Sequence, residues 1–321
     1  MRNMMKNVLV TAIGTITSTN IVRELKKTGD FFLFGADINN AEEIVTSLDV
    51  GRYFRFPLID RENYLSYVLD FCKENSIEYY FASLDIEVDI ISAHREEFES
   101  IGTKLCVPDY EFVKTCHYKD VFTDWINSNF PEIAIKSYKD FGAVKEDDYP
   151  IFTKPIEGVA GKDCFKIGSP AELHAFIHPE DVGVKCLLQE FVRGENITVD
   201  CIRNRKTEQK AYIQRKEILR NANGCGTAVE IIDDPELSGI CDAIAEKLDL
   251  NGVCNMEFFR TDSGYKMIEI NPRFSAGAIY TSMAGNNIFL NAVRIADGEM
   301  CEFGEIDVGS RYAERYEAYR M

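Results

Sequence analysis

Short apolar runs alternate with amphipathic segments over the first third of the chain. The runs have the length and apolar content of buried β-strands and lie at residues 7–12, 31–36, 78–83 and 103–107. Segments with the apolar spacing of helices lie between them, at residues 18–27, 64–75 and 88–100. This alternation predicts a small doubly wound α/β domain over residues 1–108, built on a parallel sheet.

The pattern changes after residue 108. Strand-like segments now follow one another with fewer helices between them, at residues 151–155, 164–167, 186–189, 197–203, 211–215, 253–260 and 265–271. Helices are expected at residues 171–177, 235–248 and 288–296. Consecutive strands joined by short turns pair in antiparallel fashion. An α+β region is therefore predicted to follow the α/β domain.

Residues 253–271 have the pattern of a β-hairpin. The residues between its strands suit a three-residue turn with glycine at the left-handed position, and they are Asp262, Ser263 and Gly264. Such a turn places Thr261 opposite Tyr265. Two further pairs then share one face of the hairpin, namely Glu257 with Glu269 and Asn255 with Asn271. The other face is predicted to be a core face, formed by Cys254, Met256, Phe258, Ile268 and Ile270.

Two carboxylates directly opposed across a sheet repel one another. A divalent cation offsets this repulsion, because Mg²⁺ takes oxygen ligands and commonly binds one or two carboxylates together with phosphate and water. A solvated strand face that happens to carry Glu257 and Glu269 is the alternative reading of the pair. The residues that follow favour a site: Asn271 adds an amide oxygen, Pro272 ends the strand, and Arg273 adds an anion-binding cation.

The string Glu269-Ile270-Asn271-Pro272-Arg273, with Glu257 about a dozen positions earlier, resembles the metal-binding signature of the ATP-grasp superfamily. The resemblance implies that Glu257, Glu269 and Asn271 hold two Mg²⁺ or Mn²⁺ ions on the phosphates of ATP. It also implies that Arg273 contacts the transferred phosphate or an acyl phosphate.

Further positions match the superfamily in the order in which its motifs occur. Lys119 and Lys154 correspond to nucleotide-binding lysines, although Tyr118 stands where an aspartate usually precedes the first. A glycine-bearing loop from Gly158 to Gly161 corresponds to the lid that closes over the phosphates.

The adenine hinge of the family is matched at residues 190–192. Glu190 and Val192 take the adenine-contacting positions, with Phe191 between them. Asn196 stands where a glutamate usually binds the ribose, so its assignment to the nucleotide site is a departure from the pattern.

Arg215 matches an arginine near the phosphates and the acyl group. The family often has a basic residue two positions after this arginine. Glu217 stands at that position here, so the resemblance does not assign the substrate side of the site. With Arg273, Arg215 is the second predicted catalytic residue.

The resemblance implies three structural units. They are an α/β domain over residues 1–108, a small ATP-grasp subdomain with the lid over residues 109–185, and a subdomain with the hinge and metal site over residues 186–321. The two ATP-grasp subdomains are α+β units that clasp ATP between them.

The net charge of −17 argues against nucleic acid or an anionic membrane surface as a partner, because both bind basic patches. No apolar run approaches the roughly 20 residues of a membrane span. Ten cysteines without a CxxC pair are typical of reduced thiols in a cytoplasm.

The expected function is that of an ADP-forming ligase, which activates a small carboxylate as an acyl phosphate for attack by an amine. Two alternatives remain open: phosphorylation of bicarbonate or carbamate, and nucleotide binding without turnover. An NAD-dependent oxidoreductase is disfavoured, because the loop after the first strand has the single glycine Gly14 where the dinucleotide fingerprint needs three. A homodimer is expected on family grounds.

Overall fold

A computed structural model describes residues 5–60, 62–156, 162–222 and 224–321, and their strands form three sheets. The strands of the first sheet are β1 (Lys6–Val10), β2 (Phe31–Asp37), β3 (Arg52–Arg55), β4 (Tyr79–Phe81) and β5 (Lys104–Leu105). They run parallel in the order β3-β2-β1-β4-β5. The predicted doubly wound domain is thus confirmed. Strand β3 was not predicted, because its four residues, RYFR, lie at the half-exposed edge and carry no apolar run.

Four helices accompany this sheet, namely α1 (Ile16–Thr28), α2 (Tyr64–Glu74), α3 (Asp85–Ser92) and α4 (Arg95–Ser100). Helix α1 begins where the side chain of Thr15 accepts a hydrogen bond from the amide of Ser18, and it ends at Gly29, whose φ of 74° is left-handed. The single helix predicted over residues 88–100 is two helices, and the first begins earlier, at Asp85.

The second sheet has four antiparallel strands in the order β6-β9-β7-β8. They are β6 (Ser137–Tyr138), β7 (Ile151–Pro155), β8 (Phe165–Ile167) and β9 (Cys186–Glu190). The helices around it are α5 (Tyr110–His117), α6 (Lys119–Asn129) and α7 (Pro170–Phe176). Strand β9 follows residue 185 yet pairs within this sheet, and the boundary between the last two predicted units stays a prediction.

The third sheet has six strands in the order β14-β13-β10-β11-β12-β15, all antiparallel. They are β10 (Glu195–Asn204), β11 (Gln209–Arg220), β12 (Gly226–Ile232), β13 (Gly252–Thr261), β14 (Gly264–Asn271) and β15 (Arg311–Ala313). The remaining helices are α8 (Pro235–Lys247), α9 (Ala278–Met283) and α10 (Ile288–Asp297). The predicted combination of a parallel sheet with α+β units is therefore confirmed.

The hairpin of β13 and β14 has the predicted pairing at the end that carries the two glutamates, but its turn differs from the prediction. Thr261 pairs with Gly264, so the loop has two residues, and Tyr265 lies opposite Arg260 rather than Thr261. A bulge at Ile268 then restores the register. As a consequence Glu257 pairs with Glu269 and Asn255 with Asn271, as predicted.

The bulge also changes the core face of the hairpin. Met267 is 2% exposed and packs in the core with Cys254, Met256, Phe258 and Ile270. Ile268, which the unbroken alternation placed on that face, is only partly buried. The prediction for Ile268 was wrong because an unpaired residue reverses the alternation of faces in one strand.

The first sheet packs against the third sheet through helix α10. Val8 and Phe81 of the first sheet share one apolar cluster with Val253 of β13 and Phe289 of α10. At the end of α10, Asp297 accepts hydrogen bonds from the hydroxyl of Tyr79 and the ammonium group of Lys104. This packing brings the loop after β4 to the end of the hairpin where Asn255 pairs with Asn271.

Among the described residues, no helix is long and apolar enough to cross a lipid bilayer.

Candidate functional site

One face of the six-stranded sheet is lined with polar side chains. Paired residues of neighbouring strands share a face, as do residues two apart on one strand. By the observed register this face carries Asn196, Thr198, Asp200, Arg215, Glu217, Asn255, Glu257, Glu269 and Asn271. The opposite face is apolar and packs on α8. The fold thus gathers the predicted ligands on the single polar face of this sheet.

Glu257 and Glu269 form the predicted carboxylate pair. Burial, together with the charges of Glu269 and Glu217, raises the pKa of Glu257 to about 8, against the opposing effects of Arg220 and Arg273. Negative charge is therefore in excess at this point of the sheet. A divalent cation is the group that such a donor set fits.

The amide of Asn271 lies between the two carboxylates. Its nitrogen Nδ2 is 3.3 Å from Oε1 of Glu257 and 3.4 Å from Oε1 of Glu269. Its oxygen Oδ1 accepts a hydrogen bond of 3.2 Å from Arg273. Within the described residues no cluster of three or more His, Cys, Asp or Glu side chains is arranged to hold a metal ion. Two carboxylates and an amide are a small ligand set of the kind that phosphate and water complete in a magnesium shell, and their role as metal ligands stays a prediction.

Arg273 reaches across to the first sheet. Its guanidinium makes two hydrogen bonds to the carboxylate of Asp85, at 2.7 and 3.1 Å. The charge of Asp85 raises the pKa of Arg273, although burial acts in the opposite direction. Sequence reasoning missed Asp85. A usable signal was its place just after β4, because ligand sites of doubly wound sheets lie beyond the carboxyl ends of the strands.

Two lysines approach the carboxylate pair from the other side. Lys154 of β7 is 7% exposed, and its Nζ donates a hydrogen bond of 3.3 Å to the carbonyl oxygen of Ile268. Burial lowers the pKa of Lys154, Glu269 raises it, and Lys119 lowers it. Lys119 is the first residue of α6, and its Nζ is 3.5 Å from the carbonyl oxygen of Ile156. The structure thus brings Lys119 and Lys154 together beside Glu269.

The predicted hinge follows β9 directly. Oε1 of Glu190 accepts a hydrogen bond of 3.1 Å from the amide of Lys136, and Val192 is partly buried in the connection to β10. The ring of Phe191 lies 5.0 Å from Nζ of Lys166. The lid residues Gly158 and Gly161 lie outside the described residues.

Arg215 is buried in a polar network beneath the site. It is 1% exposed and forms an ion pair with Asp200, which is completely buried. It also donates hydrogen bonds to the hydroxyls of Thr281 and Ser275, at 2.8 and 3.1 Å. Its Nε is buried without a hydrogen-bond partner. The observed contacts of Arg215 are thus to the protein itself, and its predicted contact with the phosphate stays a prediction.

Sequence reasoning also missed Arg220, the last residue of β11. Its NH2 group is 3.6 Å from Oε2 of Glu257, and its NH1 group donates a hydrogen bond of 2.9 Å to the side chain of Asn196. No motif marks this residue. It reaches the site because β11 lies next to β10 in the sheet, which is information that only the topology provides.

Two family models match the chain. The model described as "ATP-grasp in the biosynthetic pathway with Ter operon" matches residues 183–316, and "PylC-like, N-terminal domain" matches residues 8–106.

The curated proteins that are similar to this chain are distant relatives and are much longer than it. The arginine-specific large chain of carbamoyl phosphate synthase from Bacillus subtilis is 22% identical over 253 residues, which are 74% of this chain and 24% of that protein. The large chain from Clostridium acetobutylicum is 21% identical over 281 residues, with coverages of 81% and 25%. The chain therefore spans about a quarter of the length of these relatives.

Solved structures share the fold. The biotin carboxylase domain of 2-oxoglutarate carboxylase from Hydrogenobacter thermophilus superposes with a TM-score of 0.75 at 16% identity, covering 96% of this chain and 73% of that one. N5-carboxyaminoimidazole ribonucleotide synthetase from Thermotoga maritima gives a TM-score of 0.70 at 19% identity, covering 94% and 78%. The chain therefore carries an ATP-grasp domain over residues 183–316 and a PylC-like N-terminal domain over residues 8–106, and it is similar to the carbamoyl phosphate synthase large chain.

Proposed function

We propose that the protein is an ATP-dependent, ADP-forming ligase that joins a small carboxylate to an amine. The observation that carries this proposal is the convergence of Glu257, Glu269, Asn271 and Lys154 at one point between two sheets. Phosphoryl transfer from ATP requires carboxylates that hold cations on the phosphates, with a buried lysine next to them.

Glu257, Glu269 and Asn271 would hold the Mg²⁺ or Mn²⁺, and we propose two ions. When bound, the metal neutralises charge on the phosphates and aligns the reacting oxygens. The structural support is the pairing of the two carboxylates across the hairpin, where burial and the charge of Glu269 raise the pKa of Glu257.

The nucleotide would lie between the second and third sheets. Lys154 and Lys119 are placed to contact its phosphates, and the lid from Gly158 to Gly161 would cover them. Glu190, Phe191 and Val192 would contact the adenine ring, and Asn196 the ribose. The structural neighbour from Hydrogenobacter thermophilus was solved in complex with MgADP, which supports a nucleotide and magnesium here.

The reaction would proceed in two steps. An oxygen of the substrate carboxylate attacks the γ-phosphorus of ATP, so that a new P–O bond forms, ADP leaves, and an acyl phosphate results. The amine then attacks the acyl carbon, loses a proton, and displaces inorganic phosphate to give an amide. Arg273 would stabilise charge on the transferred group, and we retain Arg215 as a proposed second cation at the acyl group. Exclusion of water protects the acyl phosphate from hydrolysis.

A second candidate is phosphorylation of bicarbonate or carbamate. The curated relatives are carbamoyl phosphate synthase chains, and one structural neighbour was solved in complex with bicarbonate. Nucleotide binding without turnover is the third candidate. It rests on the departures at Asn196 and Glu217. A cytoplasmic location and a homodimer are part of the main proposal, and the structural neighbour from Hydrogenobacter thermophilus is a dimer.

The proposal is tested by release of ADP and phosphate from MgATP in the presence of pooled carboxylic acids and amines, with bicarbonate in a separate arm. We expect release that needs one acid and one amine and is lost in Glu269→Gln. Release with bicarbonate alone favours the second candidate. Binding of MgATP without stimulated release by any pool favours the third candidate.

A further inference from the structure

Arg220 makes simultaneous contacts with residues of the metal site and of the nucleotide site. It forms ion pairs with Glu257 and, at 2.7 Å from Nε, with Glu217, and it donates a hydrogen bond to Oδ1 of Asn196. Its Nε–H group donates a hydrogen bond of 2.7 Å to the carbonyl oxygen of Gly224. The guanidinium thus lies among four acceptors contributed by three strands and a loop.

Two of these acceptors have a proposed function that Arg220 opposes. The carboxylate of Glu257 is a proposed metal ligand, and a guanidinium beside it repels a second cation. The oxygen of Asn196 is proposed to meet the ribose, and its hydrogen bond to Arg220 occupies it. A divalent cation at Glu257 therefore competes with Arg220.

We propose that Arg220 is a displaceable counterion of the carboxylate pair, held on Glu257 and Asn196 until the metal and nucleotide replace it. One movement of this side chain would free both acceptors, so that metal binding and ribose binding favour each other. Arg220 is then a positioning residue, and Glu217 keeps it nearby after displacement, since the carboxylate of Glu217 has its own hydrogen bond from Thr198, at 3.0 Å. The inference rests on the proposed metal site.

The movement that this requires is sterically accessible. The side chain of Arg220 is 32% exposed, whereas that of Glu257 is 22% exposed. A partly exposed arginine at a strand end changes rotamer without disturbing the core. Arg260 offers a matched control, because it is 36% exposed, lies on the same sheet and pairs with Glu195 rather than with the carboxylate pair.

The test is binding of Mn²⁺ alone, measured from the electron paramagnetic resonance signal of the free ion, with no nucleotide present. Wild type, Arg220→Gln, Arg260→Gln and Glu269→Gln are compared, with circular dichroism as the check on folding. We expect Arg220→Gln to bind Mn²⁺ about 5- to 10-fold more tightly than wild type, since a repelling charge and a competing ion pair are removed. Arg260→Gln removes the same charge and should leave the affinity unchanged.

Two results overturn the inference in distinguishable ways. If Arg220→Gln binds Mn²⁺ no more tightly than wild type while Glu269→Gln abolishes binding, the metal site stands and the role of Arg220 is refuted. If Mn²⁺ binding in wild type does not depend on Glu269, the metal site fails, and the inference about Arg220 fails with it.

Discussion

The Nζ atom of Lys154 donates a hydrogen bond to the carbonyl oxygen of Ile268, the residue that the bulge in β14 leaves unpaired. Strand β14 is the outermost strand of its sheet, so the carbonyl of the unpaired Ile268 is open to a donor from the second sheet. The bulge therefore does two things at once. It restores the pairing of Glu257 with Glu269, and it fixes a buried cation from the second sheet next to that pair.

Lys154→Met should weaken nucleotide binding while the fold is retained. Loss of a charge-assisted contact to phosphate costs roughly 1.5–3 kcal/mol, which corresponds to a roughly 10- to 100-fold weaker affinity. Isothermal titration with MgADP measures it. Lys185→Met, at an exposed lysine paired with Asp181, is the matched control and should bind normally. Equal affinities in the two variants would contradict the role of Lys154.

The metal-free protein should lose stability as the pH rises from about 5 to 8. Glu257 keeps its proton up to a pKa of about 8 in the native state, whereas an unfolded glutamate loses it near about 4.3. The pKa of Glu257 is higher in the native state than in the unfolded state. Its contribution to the free energy of unfolding is therefore fully present below the unfolded pKa and is lost as the pH approaches 8. We expect a loss of roughly 1–3 kcal/mol over this window.

Urea denaturation in EDTA at several pH values measures this slope. Glu257→Gln should flatten it, because glutamine does not titrate. Glu195→Gln is the control, since Lys216 and Arg260 lower the pKa of Glu195 and its contribution is lost only at lower pH. A slope that is the same in Glu257→Gln and wild type would refute the assignment.

Asp85→Asn should destabilise the protein and slow turnover with little change in nucleotide affinity. Asp85 holds Arg273 by two hydrogen bonds across the contact between the first and third sheets. Their loss should cost roughly 1–3 kcal/mol, seen in thermal unfolding. Asp49→Asn removes an exposed ion pair with Lys26 and should cost less than about 1 kcal/mol. Equal effects of the two variants would show that the pair with Arg273 has no special role.

Arg215→Leu should be strongly destabilising whatever its part in catalysis. It leaves the buried carboxylate of Asp200 without its cation, which costs roughly 3–5 kcal/mol. Combining Asp200→Asn with Arg215→Leu removes both charges, so the double variant should be more stable than the sum of the single losses predicts. A double-mutant cycle in urea measures this coupling. Additive losses would show that the two side chains act independently.

The sequence pattern predicted the pairing of Glu257 with Glu269 through two errors that cancel. The turn is one residue shorter than its composition indicates, and the bulge at Ile268 compensates. Alternation of polar and apolar residues identifies which residues share a face, but it does not mark the residue at which a strand bulges. The ligand pair was therefore predictable, and the contact of Ile268 with Lys154 was not.

Contacts between segments that are far apart in the chain could not be predicted from the sequence either. Arg273 and Asp85 are 188 residues apart, and Arg220 meets Asn196 only because β10 and β11 are neighbours. Asp200 offered a signal that was not used. An aspartate within the apolar strand ITVDCI must have a buried partner, and the cation diagonally across from it on the same face is Arg215.

The most direct test of ligase chemistry is transfer of ¹⁸O from a labelled substrate carboxylate to inorganic phosphate during turnover, measured by mass spectrometry. If a carboxylate oxygen attacks the γ-phosphorus and the amine later displaces phosphate, each phosphate released carries one labelled oxygen, and Glu269→Gln releases none. Phosphate that is released without label, at a rate independent of any acid, would show simple hydrolysis of ATP and contradict the account.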